Sequence, residues 1–389
     1  MDTLATATIL AALVLIASMA SVELGISVAI IEIALGVIAG NLFGLTTTPW
    51  IDFLASFGGI FLTFLAGAEV EPRLLRHRFR ESVVLGGLSF LLPFVAAGLF
   101  AYFIAGWDLR QSEIAGVALS TTSLAVVYAV LVETGLTETE IGKIIMAATF
   151  VTDLGTASAL SVLFIQPNAY LLLFVVASVV IVVTMLALQP WFFRRYGDRV
   201  IEPEIKGAFV ALFILMWTAD LAKSHAVLPA FLLGLAVARV FRAHREQQKR
   251  FRVVAFSFLT PFFFFVKGGM NVSLSALGSA VPLLLAFLAV KIAAKFAGVY
   301  PPALLWLRPY ATYTTLLMST GLTFGTISSL YALNAGIIDR TQFSVLITTV
   351  ICSAIVPTFV AQRFFSPPKH VLSADEAEAI EDAEFEPAR

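Results

Sequence analysis

The chain has 389 residues, 59% of them hydrophobic and 13% charged, with a mean hydropathy of +0.93 and a net charge of −1. Soluble domains carry about 25% charged residues, so the composition excludes a water-soluble fold and points to an integral membrane protein. A single cysteine, Cys352 in an apolar run, excludes a disulfide framework. The four histidines (His77, His225, His244 and His370) are scattered without metal-ligand spacing.

A hydrocarbon core of about 30 Å takes about 20 apolar residues per helix. Counting such runs predicts an all-α polytopic protein with thirteen spans. They lie near residues 4–20, 25–44, 50–70, 82–106, 112–133, 140–164, 168–193, 205–222, 226–241, 252–271, 277–303, 309–333 and 340–364. No Arg or Lys precedes the first run, which therefore reads as an uncleaved span rather than a signal peptide.

Basic residues fall in every second loop. Arg73, Arg76, Arg78 and Arg80 share one loop, and Arg194, Arg195, Arg199 and Lys206 another. Arg239, Arg242, Arg245, Lys249, Arg250 and Arg252 follow the ninth span, with Lys143, Arg308, Arg363 and Lys369 on the same side. Eighteen basic residues thus face three (Arg110, Lys223 and Arg340), which places the N-terminus outside and the C-terminus in the cytoplasm. The alternation explains these residues as topology, not as a nucleic-acid patch. Residues 366–389 are expected to form a disordered acidic tail, because Ser373–Arg389 holds seven carboxylates and few apolar residues.

Several polar residues break the membrane pattern. Asp153 lies near the middle of the sixth span, where an ionisable group costs about 2.5–3.5 kcal/mol or more and is kept chiefly to handle ions or protons. A structural acid satisfied by a neighbouring helix is the alternative. The fifth span carries Ser120, Thr121, Thr122 and Ser123 in succession, and the twelfth carries Ser319, Thr320 and Gly321. Hydroxyls and glycine loosen a helix, and interrupted helices at corresponding places in two halves point to a transporter's binding site; small-residue helix packing is the rival explanation. Lys291 and Lys295, spaced i, i+4, share one helix face. At least one should face Asp153, and Lys295 lies where it can partly snorkel. Lys267 and Asp220 fall toward the outer ends of their spans and can pair. Glu32 is either a hydrogen-bonded structural acid or a cavity-lining one. Gly36, Gly40 and Gly44 form a small-residue ridge for close contact within or between subunits.

Seven stretches, in order over residues 25–335, resemble the monovalent cation:proton antiporter superfamily in its Kef- and NapA-like branch. They are Ile31–Asn41, Phe61–Glu69, Ser120–Val127, Thr152-Asp153, Pro229–Leu235, Pro261–Met270 and Ala294–Gly298. The resemblance implies an inverted-repeat antiporter fold with two crossed broken helices. Residues 1–71 and 205–271 would form a dimerisation scaffold, 82–164 and 277–364 an ion-translocating core, and 168–193 a linker. It implies a homodimer in the plasma membrane of a prokaryote, exchanging Na⁺ or K⁺ for H⁺ with no cofactor and no enzymatic activity.

The resemblance also makes Asp153 the cation- and proton-binding carboxylate and Lys295 the family's buried base; hydroxyls and freed carbonyls at Thr152, Thr121, Thr122 and Ser123 would supply the neutral oxygens that a hard cation needs. Lys291 has no family counterpart. Two departures stand out. The family's paired Asp-Asp or Asn-Asp is Thr152-Asp153 here, which removes a titratable site and implies electroneutral exchange. The nucleotide-binding regulatory domain of Kef proteins is not expected in this chain. Rival classes are a cation channel, a sodium symporter for organic anions, and an intramembrane aspartyl protease. The protease would need Asp153 and Asp220 at one depth, whereas the span positions put them at different depths.

Overall fold

The computed structural model describes residues 3–24, 28–68, 78–134, 136, 139–164, 168–196, 203–243, 253–254, 264–365 and 367. The described helices are α1 (Thr3–Leu24), α2 (Val28–Asn41), α3 (Pro49–Ala68), α4 (Phe79–Phe103), α5 (Leu109–Ser120), α6 (Leu124–Thr134), α7 (Glu140–Leu163) and α8 (Tyr170–Tyr196). They continue as α9 (Pro203–Leu221), α10 (Val227–Ala243), α11 (Val266–Met270), α12 (Leu274–Trp306), α13 (Ala311–Met318), α14 (Thr323–Asn334) and α15 (Arg340–Phe364). Among the described residues, eight helical segments are long and apolar enough to cross a membrane, and α2 and Val227–Ala238 are shorter apolar helices. The described residues are nearly all helical, and the protein is a multi-pass membrane protein. Half of the predicted tenth span lies outside the described residues, so the count of thirteen is not established. The acidic tail from 368 onward and Arg73, Arg76, Arg199, Arg245, Lys249, Arg250, Arg252 and Lys369 also lie outside them.

Helix ends follow local chemistry. The predicted second span shortens to α2 because Asn41 ends it. Its Nδ2 donates to Val37 O and Val272 O at 2.8 Å each, and its Oδ1 accepts from Leu274 N at 3.0 Å, which ties the end of α2 to the start of α12. The same capping box opens α5 and α15. Gln111 N donates to Asp108 Oδ1 at 2.8 Å and Gln342 N to Asp339 Oδ1 at 2.8 Å, each glutamine reaching back to the cap's own N–H.

The chain divides into two compact units. The first comprises residues 1–71, 157–282 and 327–347. Its centre is an aromatic column on α3, where Phe57 and Phe61 meet the Phe209 edge at 5.0 and 5.2 Å between ring centroids. Gly67 of α3 and Gly234 of α10 press on each other's backbones, and so do Gly36 of α2 and Gly269 of α11. Helices lacking a hydrophobic driving force in lipid associate by such close backbone approach. Gly40 abuts the Met270 backbone, so this ridge packs within the chain; Gly44 lies past the end of α2 at a φ of +61° and touches nothing. The expected pairing of Lys267 with Asp220 is not formed. Lys267 Nζ instead meets Asp52 Oδ1 at 2.8 Å, because the first turn of α3 brings that carboxylate to the buried ammonium.

The second unit comprises residues 72–156, 283–326 and 348–389. Here α4 turns a stripe of small residues inward (Ser82, Gly86, Ser89, Ala97 and Ala101) and exposes Leu91, Val95 and Leu99. An apolar exterior over a small-residue interior suits lipid rather than water. At about 1.5 Å per residue, the 33-residue α12 would be about 50 Å long, more than a bilayer core requires. Its buried stripe runs through Phe287, Lys291, Ala294, Lys295 and Gly298.

Candidate cation site

Two interrupted helices meet inside the second unit. The first breaks between α5 and α6, where Thr121 is extended (φ −64°, ψ 151°), and the second between α13 and α14. Ser123 N donates to Thr320 O at 3.2 Å across the meeting point, and Thr122 Oγ1 donates to Met318 O at 2.9 Å. Residues 120–123 and 319–320 are all buried. A broken helix exposes carbonyls that lipid cannot satisfy, and the hydroxyl runs answer that need. Ser120 Oγ donates to Val117 O at 2.9 Å, Ser319 Oγ to Thr315 O at 2.7 Å and Thr320 Oγ1 to Leu317 O at 2.8 Å. Ser123 caps α6, its Oγ accepting from Val126 N at 3.5 Å.

Both α12 lysines reach this crossing. Lys295 Nζ donates to Ser120 O at 2.8 Å, Ser89 Oγ at 2.8 Å and Thr122 Oγ1 at 2.9 Å, so all three of its hydrogens are engaged. The expected snorkelling of Lys295 does not occur. It is fully buried, because the C-terminal carbonyl of α5 and two hydroxyls give it a better environment than a stretched path to the interface. A cation at that helix end also opposes the partial negative charge of the helix dipole. Lys291 Nζ donates to Ser353 Oγ at 2.8 Å, and Ser353 Oγ donates to Val350 O at 2.7 Å.

Gly321 leaves the space that Lys291 and Thr121 occupy: a Cβ there would collide with Lys291 Nζ and come within 2.7 Å of Thr121 Oγ1. Gly321→Val is therefore expected to destabilise the protein by about 1–3 kcal/mol through overpacking. The check is a thermal melt of the purified protein; an unchanged melting temperature would mean the crossing has room to spare.

Asp153 is carried on α7, whose approach to α4 is close because Gly86 abuts Ala148 O. Its residue is 2% exposed, Oδ1 has no hydrogen-bond partner, and it makes no ion pair among the described residues. Lys295 is the charge with which it interacts through space. Thr152 turns the other way, its Oγ1 lying 3.1 Å from both Gly86 O and Ala148 O. Thr156 Oγ1 likewise bonds its own helix at Thr152 O, 2.9 Å away. Thr149, one turn before Asp153, has a buried hydroxyl without a partner and shares the Asp153 face.

The second unit thus gathers Asp153, Lys291, Lys295, Thr121, Thr122, Ser123, Ser319, Thr320 and Gly321. Glu32 belongs to the first unit. It is buried on α2, next to Ile33, whose carbonyl faces Gly269. Three participants escaped the sequence reading: Ser89, Ser353 and Thr149. Thr149 alone carried a signal, its helical register with Asp153; Ser89 and Ser353 have no buried charge on their own helices to mark them. Chemically, the cluster offers one carboxylate with an open oxygen beside a fixed ammonium and orphaned or half-used hydroxyls. That donor set suits a proton or a small hard cation as cargo. No group of three or more His, Cys, Asp or Glu that could hold a metal ion occurs among the described residues.

Known proteins resemble this chain in sequence and in fold. The profile of the family described as sodium/hydrogen exchanger, transmembrane, matches residues 9–366. A probable Na⁺/H⁺ antiporter 3 of Methanocaldococcus jannaschii is 28% identical over 256 residues, covering 63% of this chain and 66% of its own. The Na⁺/H⁺ antiporter NhaS4 of Synechocystis is 23% identical over 355 residues, covering 85% of this chain and 86% of its own. The Na⁺/H⁺-K⁺ antiporter GerN of Bacillus cereus is 24% identical over 277 residues, covering 67% of this chain and 70% of its own. Among solved structures, the sodium proton antiporter MjNhaP1 of Methanocaldococcus jannaschii superposes with a TM-score of 0.72 over 93% of this chain and 98% of that one. At 17% identity this likeness is one of fold. The buried acid, the crossed helix breaks and a profile spanning nearly the whole sequence lead to one conclusion: the chain belongs to the sodium/hydrogen exchanger family.

Proposed function

We propose that the protein is a secondary transporter that exchanges a monovalent cation for a proton at Asp153. The observation that carries this reading is the isolated, buried Asp153 carboxylate with Oδ1 unpartnered beside the crossing of two broken helices. A carboxylate removed from water requires either a proton or a cation, and one occupant excludes the other. If the unit that carries it changes its access only when the charge is neutralised, obligatory exchange follows. Sodium is the expected cation and potassium the second, since relatives are named for each. The protein would work as a homodimer, with the N-terminus outside and the C-terminus in the cytoplasm, as the loop charges imply.

Asp153 is the one buried carboxylate among the described residues of the second unit. A single alternating charge gives one cation per proton and an electroneutral cycle. Proteoliposomes loaded with a pH-sensitive dye and given Na⁺, K⁺ or Li⁺ test the exchange and rank the cations. The same assay with a valinomycin-clamped potential tests the stoichiometry. The expected rate does not follow the imposed potential; a rate that tracks it would mean that Lys291 or Lys295 also releases a proton in the cycle.

A further inference from the structure

Away from the cation site, the first unit holds a slot of about 330 Å³ between α8 and α9, backed by Phe64 of α3 and Val237 of α10. It falls at the small end of the range for ligand pockets. From Glu204 and Phe192 at one end to Ile214 and Val180 at the other, the slot follows ten residues of α9, or about 15 Å of helix. Its wall is apolar except for Glu204 and the hydroxyl-bearing Thr184, and Glu204 is its one charged residue. That carboxylate is 3% exposed, and neither Oε1 nor Oε2 has a hydrogen-bond partner. Buried polar groups are ordinarily paired, so this one leaves a specific demand for a donor at one end of an apolar slot. The position of Glu204 in the first turn of α9 places it favourably for the helix dipole, but supplies no hydrogen bond.

We propose that the slot binds one chain of a membrane phospholipid whose headgroup is a primary ammonium, with Glu204 accepting from that ammonium. Three observations select this occupant. The slot opens beside α8, whose Val176, Val179, Val183 and Leu186 are exposed, so the neighbouring phase is lipid. Trp191 and Tyr196 pack edge to face at the Glu204 end, and such aromatics favour headgroup depth. The polarity of the slot is that of a single-chain amphiphile with a cationic, N–H-bearing end. A trimethylammonium head has no hydrogen to donate, an anionic head is repelled, and a small inorganic cation would leave the apolar length empty.

The test uses the full chain, purified in mild detergent and stripped of lipid. It is titrated with phosphatidylethanolamine, phosphatidylcholine and phosphatidylglycerol of identical acyl chains, with bound lipid read by native mass spectrometry and stability by thermal melting. Phosphatidylethanolamine is expected to bind about tenfold more tightly than phosphatidylglycerol and to raise the melting temperature. Glu204→Gln should erase that preference. Gly207→Leu should abolish binding of all three, because a Cβ at Gly207 already sits 3.6 Å from the Phe192 ring and a longer side chain fills the slot. Equal retention of the three lipids by the native chain, or an undiminished preference in Glu204→Gln, overturns the proposal. Should Glu204→Gln not fold, Gly207→Leu decides, and unchanged phosphatidylethanolamine binding in it overturns the proposal equally. Stabilisation by dodecylamine alone, with no preference among the lipids, would mean that the occupant is a free amine and not a lipid.

Discussion

Asp153→Asn is expected to reduce cation-driven proton movement in proteoliposomes to the level of protein-free vesicles while leaving the protein folded. The substitution keeps the shape of the side chain and removes only its capacity to carry a charge. Asp153 Oδ1 has no hydrogen-bond partner to lose, so no bond made by that oxygen is broken. The melting temperature should therefore fall little or rise, since an uncharged amide is less costly to bury than an ion. Transport and stability thus move in different directions, and that divergence is the diagnostic. Exchange at the native rate in Asp153→Asn would remove the central claim. Loss of exchange together with a collapsed melting temperature would instead assign Asp153 a structural role.

Lys295→Met should give the opposite pattern, a large loss of stability. Removing this ammonium leaves Ser120 O, Ser89 Oγ and Thr122 Oγ1 without their donor inside a fully buried site. Leaving a buried polar group without its partner costs about 1–3 kcal/mol, so three such losses at one site are a large part of the stability of a typical fold. Lys291→Met, which forfeits only the bond to Ser353, should cost clearly less. Thermal melts of the two variants, run side by side, check the ranking. A Lys291 variant less stable than the Lys295 variant would overturn this ranking and give the Lys291–Ser353 contact the larger share of the stability.

The structure gives the hydroxyls other tasks than the neutral-oxygen role expected from the sequence. Thr122 donates to Met318 O and accepts from Lys295, so its first task is to join the two broken helices. Thr152, in the position of the first member of the family's pair, is turned toward the backbone of α4 and of its own helix. Thr149, with an orphaned hydroxyl, is better placed to offer an oxygen to cargo bound at Asp153. We expect the neutral ligands of the cation to be drawn from Thr149 and freed backbone carbonyls as much as from Thr121 to Ser123.

Much of this protein could be read from one dimension because a bilayer imposes strong linear rules. Apolar runs of fixed length must be helices, since only a helix satisfies its own backbone within lipid. A lone Asp in such a run is expensive enough to draw attention by itself. Hydroxyls in succession signal a break because they compete for the helix carbonyls. The all-helical class, the breaks at residues 121–123 and 319–322, and Asp153 all follow from these local causes.

Partner choice does not, because it depends on which faces meet. Lys267 found Asp52 rather than Asp220 because the first turn of α3 reaches the buried ammonium, a proximity across more than two hundred residues of sequence. Lys295 remained inside because Ser89, on another helix, the end of α5 and Thr122 just beyond it together satisfy every hydrogen on its nitrogen. The glycine ridge of α2 turned inward because Gly269 presents a matching gap. Glu204, unremarkable on paper as an acid at a helix start, became conspicuous only when α8 closed over it and brought no donor. Desolvation is a local cost that a sequence displays, whereas its compensation is supplied from elsewhere in the chain and exists only once the helices have packed.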